Sequence, residues 1–188
     1  GDGAFYGPKL DFHVKDSLGR VWQCGTIQLD MNLPERFDLT YVDKNGQKVR
    51  PVMLHRVIFG SIERFIGILI EHFAGAFPMW LAPVQLRVIP VKNEFHLDYA
   101  KEVVDMLAKK GFRVELDDRD EKLGYRIREA QMKKIPYQLV LGNQERDEKT
   151  VTYREYGHQK QTTLPVDDFI AMIEEEVRTK ALHHMDEQ

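Results

Sequence analysis

The sequence predicts an α/β protein in two parts, a strand-rich first part and a small α/β layer unit after it. Three observations lead there. Residues 9 to 42 are dominated by period-two alternation of apolar and polar side chains, the mark of half-buried strands. Residues 86 to 177 alternate strand-like runs with helical stripes in the order β-α-β-α-β-β-α, which implies a largely parallel sheet with right-handed crossovers. Between them, AGAFPMWLAPVQ at residues 74–85 gathers small residues, two prolines and a tryptophan. That composition suits neither period and places a boundary near residue 80.

Taken in order, Leu10, Phe12 and Val14 alternate as a first strand, Val21 to Leu29 is a second, and Leu39 to Val42 is a third that ends at the turn Asn45-Gly46. A helix is expected from about Leu54. Ile62, Phe65, Ile66, Leu69, Ile70 and Phe73 then form one continuous helical stripe, with Ser61, Arg64, Ile68 and Glu71 on a second face. Gly67 inside this helix costs about 1 kcal/mol relative to alanine, so a close approach to the backbone is expected there. In the second part, Leu86 to Val91 is a strand, and Ala100, Val103, Val104 and Leu107 are the stripe of a helix that Gly111 ends. Phe112, Val114 and Leu116 form a strand, Leu123, Ile127 and Ala130 mark a helix stopped before Pro136, and Tyr137 to Leu141 is a buried-type strand. Val151 and Tyr153 suggest one more strand. The last helix starts near Pro165, with Asp167 and Asp168 favourable in its first turn.

A chain of 188 residues that is 43% hydrophobic can bury a real core, so disorder is excluded. The net charge of -3 supplies no global attraction to nucleic acid or membrane, and any polyanion site must be local. The single cysteine, Cys24, excludes an internal disulfide and a zinc site built from several cysteines of this chain. It suits a reducing cytosol, hence a cytoplasmic protein. No apolar run reaches the roughly 18 to 20 residues that span a bilayer. The opening GDGAFYGPK has neither an initiator methionine nor a signal-peptide pattern, and a piece of a longer protein is expected.

Spacing alone gives weak chemical signals. Arg64, one turn into its helix, is either a solvated charge or a fork of donors for a purine and phosphates. His55, among apolar neighbours in PVMLHRVIFG, is either a satisfied core histidine or a metal ligand. Cys24 is either a thiol nucleophile or a small buried hydrophobe.

The combination of motifs is more specific. FYGPK at 5–9, WQCGTIQLD at 22–30, PVMLHR at 51–56, GSIERFIGILIEHFAGAFPMWLAPVQ at 60–85 and RDEKLGYRIRE at 119–129 together resemble the threonyl-tRNA synthetases, a family of class II aminoacyl-tRNA synthetases. The resemblance implies that residues 1–80 are the end of a catalytic domain on an antiparallel sheet. Residues 81–188 would be an anticodon-binding domain with three helices around a mainly parallel mixed sheet. Arg64 matches the arginine of class II motif 3, which stacks on adenine and contacts the terminal phosphate of ATP. Tyr6, Lys9, Gln23, Thr26, Gln28 and Ser61 match residues lining the amino-acid and ATP sites, with Lys9, Gln23 and Arg64 in catalytic positions. His55 matches one ligand of a zinc ion that binds threonine through its amino and hydroxyl groups. Direct use of the hydroxyl makes physical sense, because apolar contacts alone reject an isostere only about 100-fold.

The same resemblance implies ATP, Mg2+ and Zn2+ as cofactors, and threonine, threonine tRNA and a second copy in a homodimer as partners. It points to Arg128, Glu145 and Arg154 for the anticodon and to Lys134 for phosphate. Asp120 stands where some members carry asparagine, and a carboxylate cannot donate to a base. The family's remaining zinc ligands and its motif 2 arginine would precede Gly1, so this polypeptide is expected to be inactive alone and to hold no stoichiometric zinc. A free-standing anticodon-domain type RNA-binding module is the competing expectation.

Overall fold

A computed structural model describes residues 3–182; Gly1 and Asp2 of the glycine-rich opening lie outside the described residues. The chain forms two compact units, one ending at Phe73 and the next beginning at Ala74. Composition put the boundary near residue 80. Among the described residues no helix is long and apolar enough to cross a membrane.

In the first unit the elements are β1 (Lys9–Lys15), β2 (Val21–Asp30), α1 (Leu33–Arg36), β3 (Tyr41–Val42), β4 (Lys48–Val49), β5 (Met53–Val57) and α2 (Ile62–His72). The sheet has the order β1-β2-β5 and is antiparallel throughout, while β3 and β4 make a separate two-stranded ladder around the Asn45-Gly46 turn. The helix expected from Leu54 does not form. Met53 to Val57 instead pair with Asp30 to Thr26 of β2, setting Leu54 opposite Leu29 and His55 opposite Gln28. A ten-residue neighbouring strand offers these residues a full ladder, and that pairing outweighs the local preference. The helix begins only at Ile62, where the Ser61 hydroxyl accepts from the Arg64 backbone N–H.

The amphipathic pattern of α2 is real, but the stripe is turned outward. Ile62, Ile66 and Ile70 are 59%, 47% and 48% exposed, whereas Ile68 of the second face is buried. That second face meets β2 and its approach: Arg64 reaches the Gln23 carbonyl and Glu71 pairs with Arg20. Among the described residues nothing lies within 4 Å of where a Cβ at Gly67 would be, so the close approach expected there is not made within this chain.

The second unit runs β6 (Leu86–Pro90), α3 (Asn93–Lys109), β7 (Val114–Leu116), α4 (Leu123–Met132), β8 (Tyr137–Leu141), α5 (Asn143–Glu148), β9 (Thr150–Glu155), β10 (Gln161–Pro165) and α6 (Val166–Thr179). Its sheet order is β10-β9-β8-β6-β7. β6 is parallel to β7 and β8, while β9 is antiparallel to both β8 and β10. The α/β class stands as expected, with the parallel pairing confined to half of the sheet. Two elements lacked a sequence signal. Asn143–Glu148 is polar throughout, so it shows no apolar stripe, and Gln161–Pro165 carries one large apolar side chain, Leu164.

Every residue of β6 is buried, as befits a central strand covered on both faces. On one face Leu86, Val88, Leu139 and Leu141 pack with Val103 and Leu107 of α3 and Phe169 and Ile173 of α6. The other face carries Arg87 and Ile89, and α4 lies against it with Arg126 and Ala130 buried. Tyr137, Tyr153 and Phe169 form an aromatic cluster with ring centroids 5.0 to 5.9 Å apart.

Candidate functional site

One face of the first unit's sheet is polar. Lys9 stands opposite Gln28 and Asp11 opposite Thr26, while His55 flanks Gln28 from the other side. Since successive side chains alternate, Thr26, Gln28 and Asp30 share this face. Tyr6 joins from the preceding loop, its hydroxyl donating to Gln28 Oε1. The loop is fastened by the Leu29 and Met31 N–H groups donating to the Pro8 and Tyr6 carbonyls, each at 3.0 Å. It passes so close that a Cβ on Gly7 would sit 2.1 Å from the Leu29 carbonyl oxygen, and only glycine fits.

Within this face Lys9 Nζ lies 3.0 Å from Asp11 Oδ2, and Gln23 Nε2 donates to Asp11 Oδ1 at 2.7 Å. Desolvation pushes the Asp11 carboxyl up, but hydrogen bonds from Lys9 and Thr26 outweigh it and leave the carboxyl below its ordinary range. His55 Nε2 lies 2.7 Å from Asp30 Oδ2. Asp30 is likewise held low: desolvation raises it, and His55 with the Leu33 and Asn32 N–H groups lowers it further. Phe5, Tyr6, Gln28, Asp30, Leu33 and His55 are among the walls of a pocket of about 370 Å³.

Arg64 approaches β2 from α2. Its Nη2 donates to the Gln23 carbonyl at 2.7 Å and its guanidinium lies 5.7 Å from the centre of the Trp22 ring. Arg20 lies 5.7 Å from the same ring and bridges Asp16 and Glu71. A Cβ at Gly60, whose φ is +67°, would meet Arg64 Nη2 at 2.7 Å, so the glycine leaves room for the guanidinium. Arg64 is exposed, and the other donors of its guanidinium have no hydrogen-bond partner among the described residues. Ser61 caps the helix and donates to Glu63 Oε2 at 2.8 Å.

In the second unit the five RNA candidates fare differently. The side chains of Arg128 and Asp120 are exposed and make no hydrogen bond or ion pair among the described residues. Glu145 is half-buried: one oxygen accepts from the Gly142 N–H at 2.8 Å, the other from Thr152 Oγ1 at 2.6 Å. Desolvation raises its carboxyl, and these two donors bring it below the usual value. Arg154 binds the carbonyls of His158 and Gln159 across the β9–β10 turn. Lys134, in a left-handed conformation after α4, donates to the Ala74 carbonyl.

Comparison with known proteins settles the kinship. The class II tRNA synthetase core domain (G, H, P, S and T) matches residues 1–73 and the anticodon binding domain matches residues 85–176. Threonine–tRNA ligases of Caldanaerobacter subterraneus and Desulforamulus reducens are 59% and 60% identical over 182 residues, 97% of this chain. The chain belongs to the threonyl-tRNA synthetase family. It spans 28% of the length of those two relatives. Among solved structures, the RNA binding domain of threonyl-tRNA synthetase from Cryptosporidium parvum superposes with a TM-score of 0.83 at 42% identity, covering 93% of this chain and 44% of that one.

Against the zinc site that the resemblance implies, the described residues do not make a metal centre by themselves. Among the described residues no group of three His, Cys, Asp or Glu side chains could hold a metal ion, and tight zinc needs at least three protein ligands. His55 offers one.

Several residues now central to these two units were not singled out from the sequence. Asp30 closes β2 and grips His55. Arg126, 3% exposed, donates to the Asp117 and Pro90 carbonyls at 2.8 and 2.9 Å and ties the ends of β7 and β6 together. His96 links Lys92 N to Asn143 Oδ1. Arg119 pairs with Asp117 and Glu129, and Lys133 with Glu129, so much of the mixed charge around α4 is consumed internally. Only the period of α4, which turns residue 126 inward with Ala130, could have hinted at Arg126.

Proposed function

We propose that this chain supplies the motif 3 end of the catalytic domain and the anticodon-binding domain of an enzyme that attaches threonine to its tRNA at the expense of ATP. The observation that carries the reading is the single polar sheet face that brings Tyr6, Lys9, Gln23, Thr26, Gln28 and His55 together, with Arg64 bound at the Gln23 carbonyl. A stand-alone RNA-binding module has no use for that face.

In the reaction the threonine carboxylate attacks the α-phosphate and pyrophosphate leaves; a ribose hydroxyl of the tRNA end then attacks the acyl carbonyl of the adenylate, forming the ester as AMP leaves. Tyr6, Thr26 and Gln28 orient the amino acid, Lys9 and Gln23 line the path between amino acid and nucleotide, and the outward donors of Arg64 hold ATP with its Mg2+. A preorganised donor of this kind contributes about 10²–10³-fold to rate. No step is assigned to zinc, since this chain provides His55 alone. For the second unit, exposed Arg128 is the best-placed base or phosphate contact. Glu145 and Arg154 act first by shaping the α5 cap and the β9–β10 turn, and Lys134 is already engaged.

Two measurements test this. Pyrophosphate exchange by the isolated chain should be at background, with zinc well below one ion per chain; exchange above background removes the division of labour proposed. Threonine tRNA transcripts with altered anticodons should bind the chain more weakly than the natural one, and equal binding of all of them removes the anticodon assignment.

A further inference from the structure

Asp30 and His55 stand two residues out of register on adjacent strands, Asp30 opposite Met53 and His55 opposite Gln28, so both project from one face as diagonal neighbours. The aspartate side chain is 1% exposed and the histidine 42%. Asp30 Oδ1 is occupied by the Asn32 and Leu33 N–H groups at 2.8 and 2.9 Å, and Oδ2 meets His55 Nε2 at 2.7 Å. The carboxylate is therefore fixed by backbone before it touches the ring, and a carboxylate only accepts. Nε2 must carry the hydrogen. Among the described residues His55 Nδ1 has no hydrogen-bond partner.

We propose that Asp30 is a positioning residue for His55, holding the imidazole as the Nε2–H tautomer so that Nδ1 keeps its lone pair for whatever occupies the adjoining pocket. The ring then presents an electron-pair donor in a fixed orientation, because turning it would break its hydrogen bond to a buried carboxylate. The inference rests on the proposed amino-acid site only for the use made of that lone pair; the tautomer itself is independent of it.

The test is nitrogen-15 NMR of the histidine rings of this chain at a pH of about 8, above the ordinary imidazole range, with the His55 signals assigned by loss in His55→Gln. The wild type should show a protonated Nε2 and an unprotonated Nδ1. Asp30→Asn keeps an Oδ1 for the Asn32 and Leu33 N–H groups but turns an NH2 donor toward Nε2, so the tautomer should reverse. A wild-type ring with its hydrogen on Nδ1, or a tautomer unchanged in Asp30→Asn, overturns the proposal, and the wild-type spectrum decides alone if the variant does not fold. In a full-length enzyme carrying Asp30→Asn, KM for threonine should rise at least tenfold with KM for ATP unchanged. A reversed tautomer with an unchanged threonine KM keeps the positioning and instead removes His55 from the amino-acid site.

Discussion

Gln23 donates its side-chain amide to Asp11 Oδ1 at 2.7 Å, although strict alternation along β2 would send it to the face opposite Thr26 and Gln28. The ladder explains the contact. Phe12 pairs with Gly25, but His13 pairs with Gln23, so Cys24 is an extra residue in β2. A bulge of this kind reverses the facing of everything beyond it.

Deleting Cys24 should therefore remove the bulge yet leave Gln23 paired with His13 and two positions from Thr26, on the same face as Asp11, so that its contact with Asp11 persists. Cys24→Ala keeps the residue count and should keep the contact, at a cost of about 1 kcal/mol. Cross-strand nuclear Overhauser effects between the Gln23 and Asp11 side chains should be present in both variants, and their loss on deletion would show that the ladder does not keep the His13 pairing with Gln23.

Gly60→Ala places a methyl group against Arg64 Nη2 and forces alanine to a left-handed φ of +67°, a conformation that costs about 1–2 kcal/mol. The guanidinium should leave Trp22. Tryptophan emission should shift, because Trp22 and Trp80 are the two indoles present, and a Trp80→Phe background isolates the Trp22 signal. An unchanged emission in that background would show that Arg64 does not need the space.

Acid should weaken the first unit through Asp16. Burial raises this carboxyl, but donors from Trp22 Nε1, the Arg20 side chain and backbone N–H groups of Arg20 and Leu18 bring it from 3.8 to about 2. A carboxyl lowered on folding stabilises fully above its unfolded value, and that contribution is lost as pH falls from 3.8 toward about 2. Urea melts followed by Trp22 emission should lose midpoint steeply across this window in the wild type, and less steeply in Asp16→Asn.

Arg126 and Arg128 are two residues apart on α4 and should give opposite phenotypes. Arg126→Ala leaves the Asp117 and Pro90 carbonyls without their donor, at about 1–3 kcal/mol each, so thermal melting of the second unit should fall markedly. Arg128→Ala should change stability by less than about 0.5 kcal/mol and yet weaken tRNA binding severalfold. Calorimetry and a filter-binding assay on the same two proteins separate the roles.

Where periodicity is local, the sequence was readable without coordinates. The β1 alternation of Leu10, Phe12 and Val14, the α3 stripe of Ala100, Val103 and Leu107 and the Ser61 cap each depend on neighbours within a few residues, and each element forms where its pattern puts it, although the apolar side chains of β1 stay exposed rather than half-buried. Long-range pairing was not readable. Strand-to-strand register moved His55 from an expected helix to the partner position of Gln28, inserted Cys24 as a bulge and so re-aimed Gln23, and brought Asp30 against an imidazole 25 positions away. Packing, too, decided what pattern could not: it turned the Ile62, Ile66 and Ile70 stripe outward, and it buried Arg126 two residues from an exposed Arg128. The physical reason is the same in each case. Propensity and amphipathicity are written in consecutive side chains, but a ladder hydrogen bond or a buried ion is satisfied only by a partner that the rest of the fold delivers.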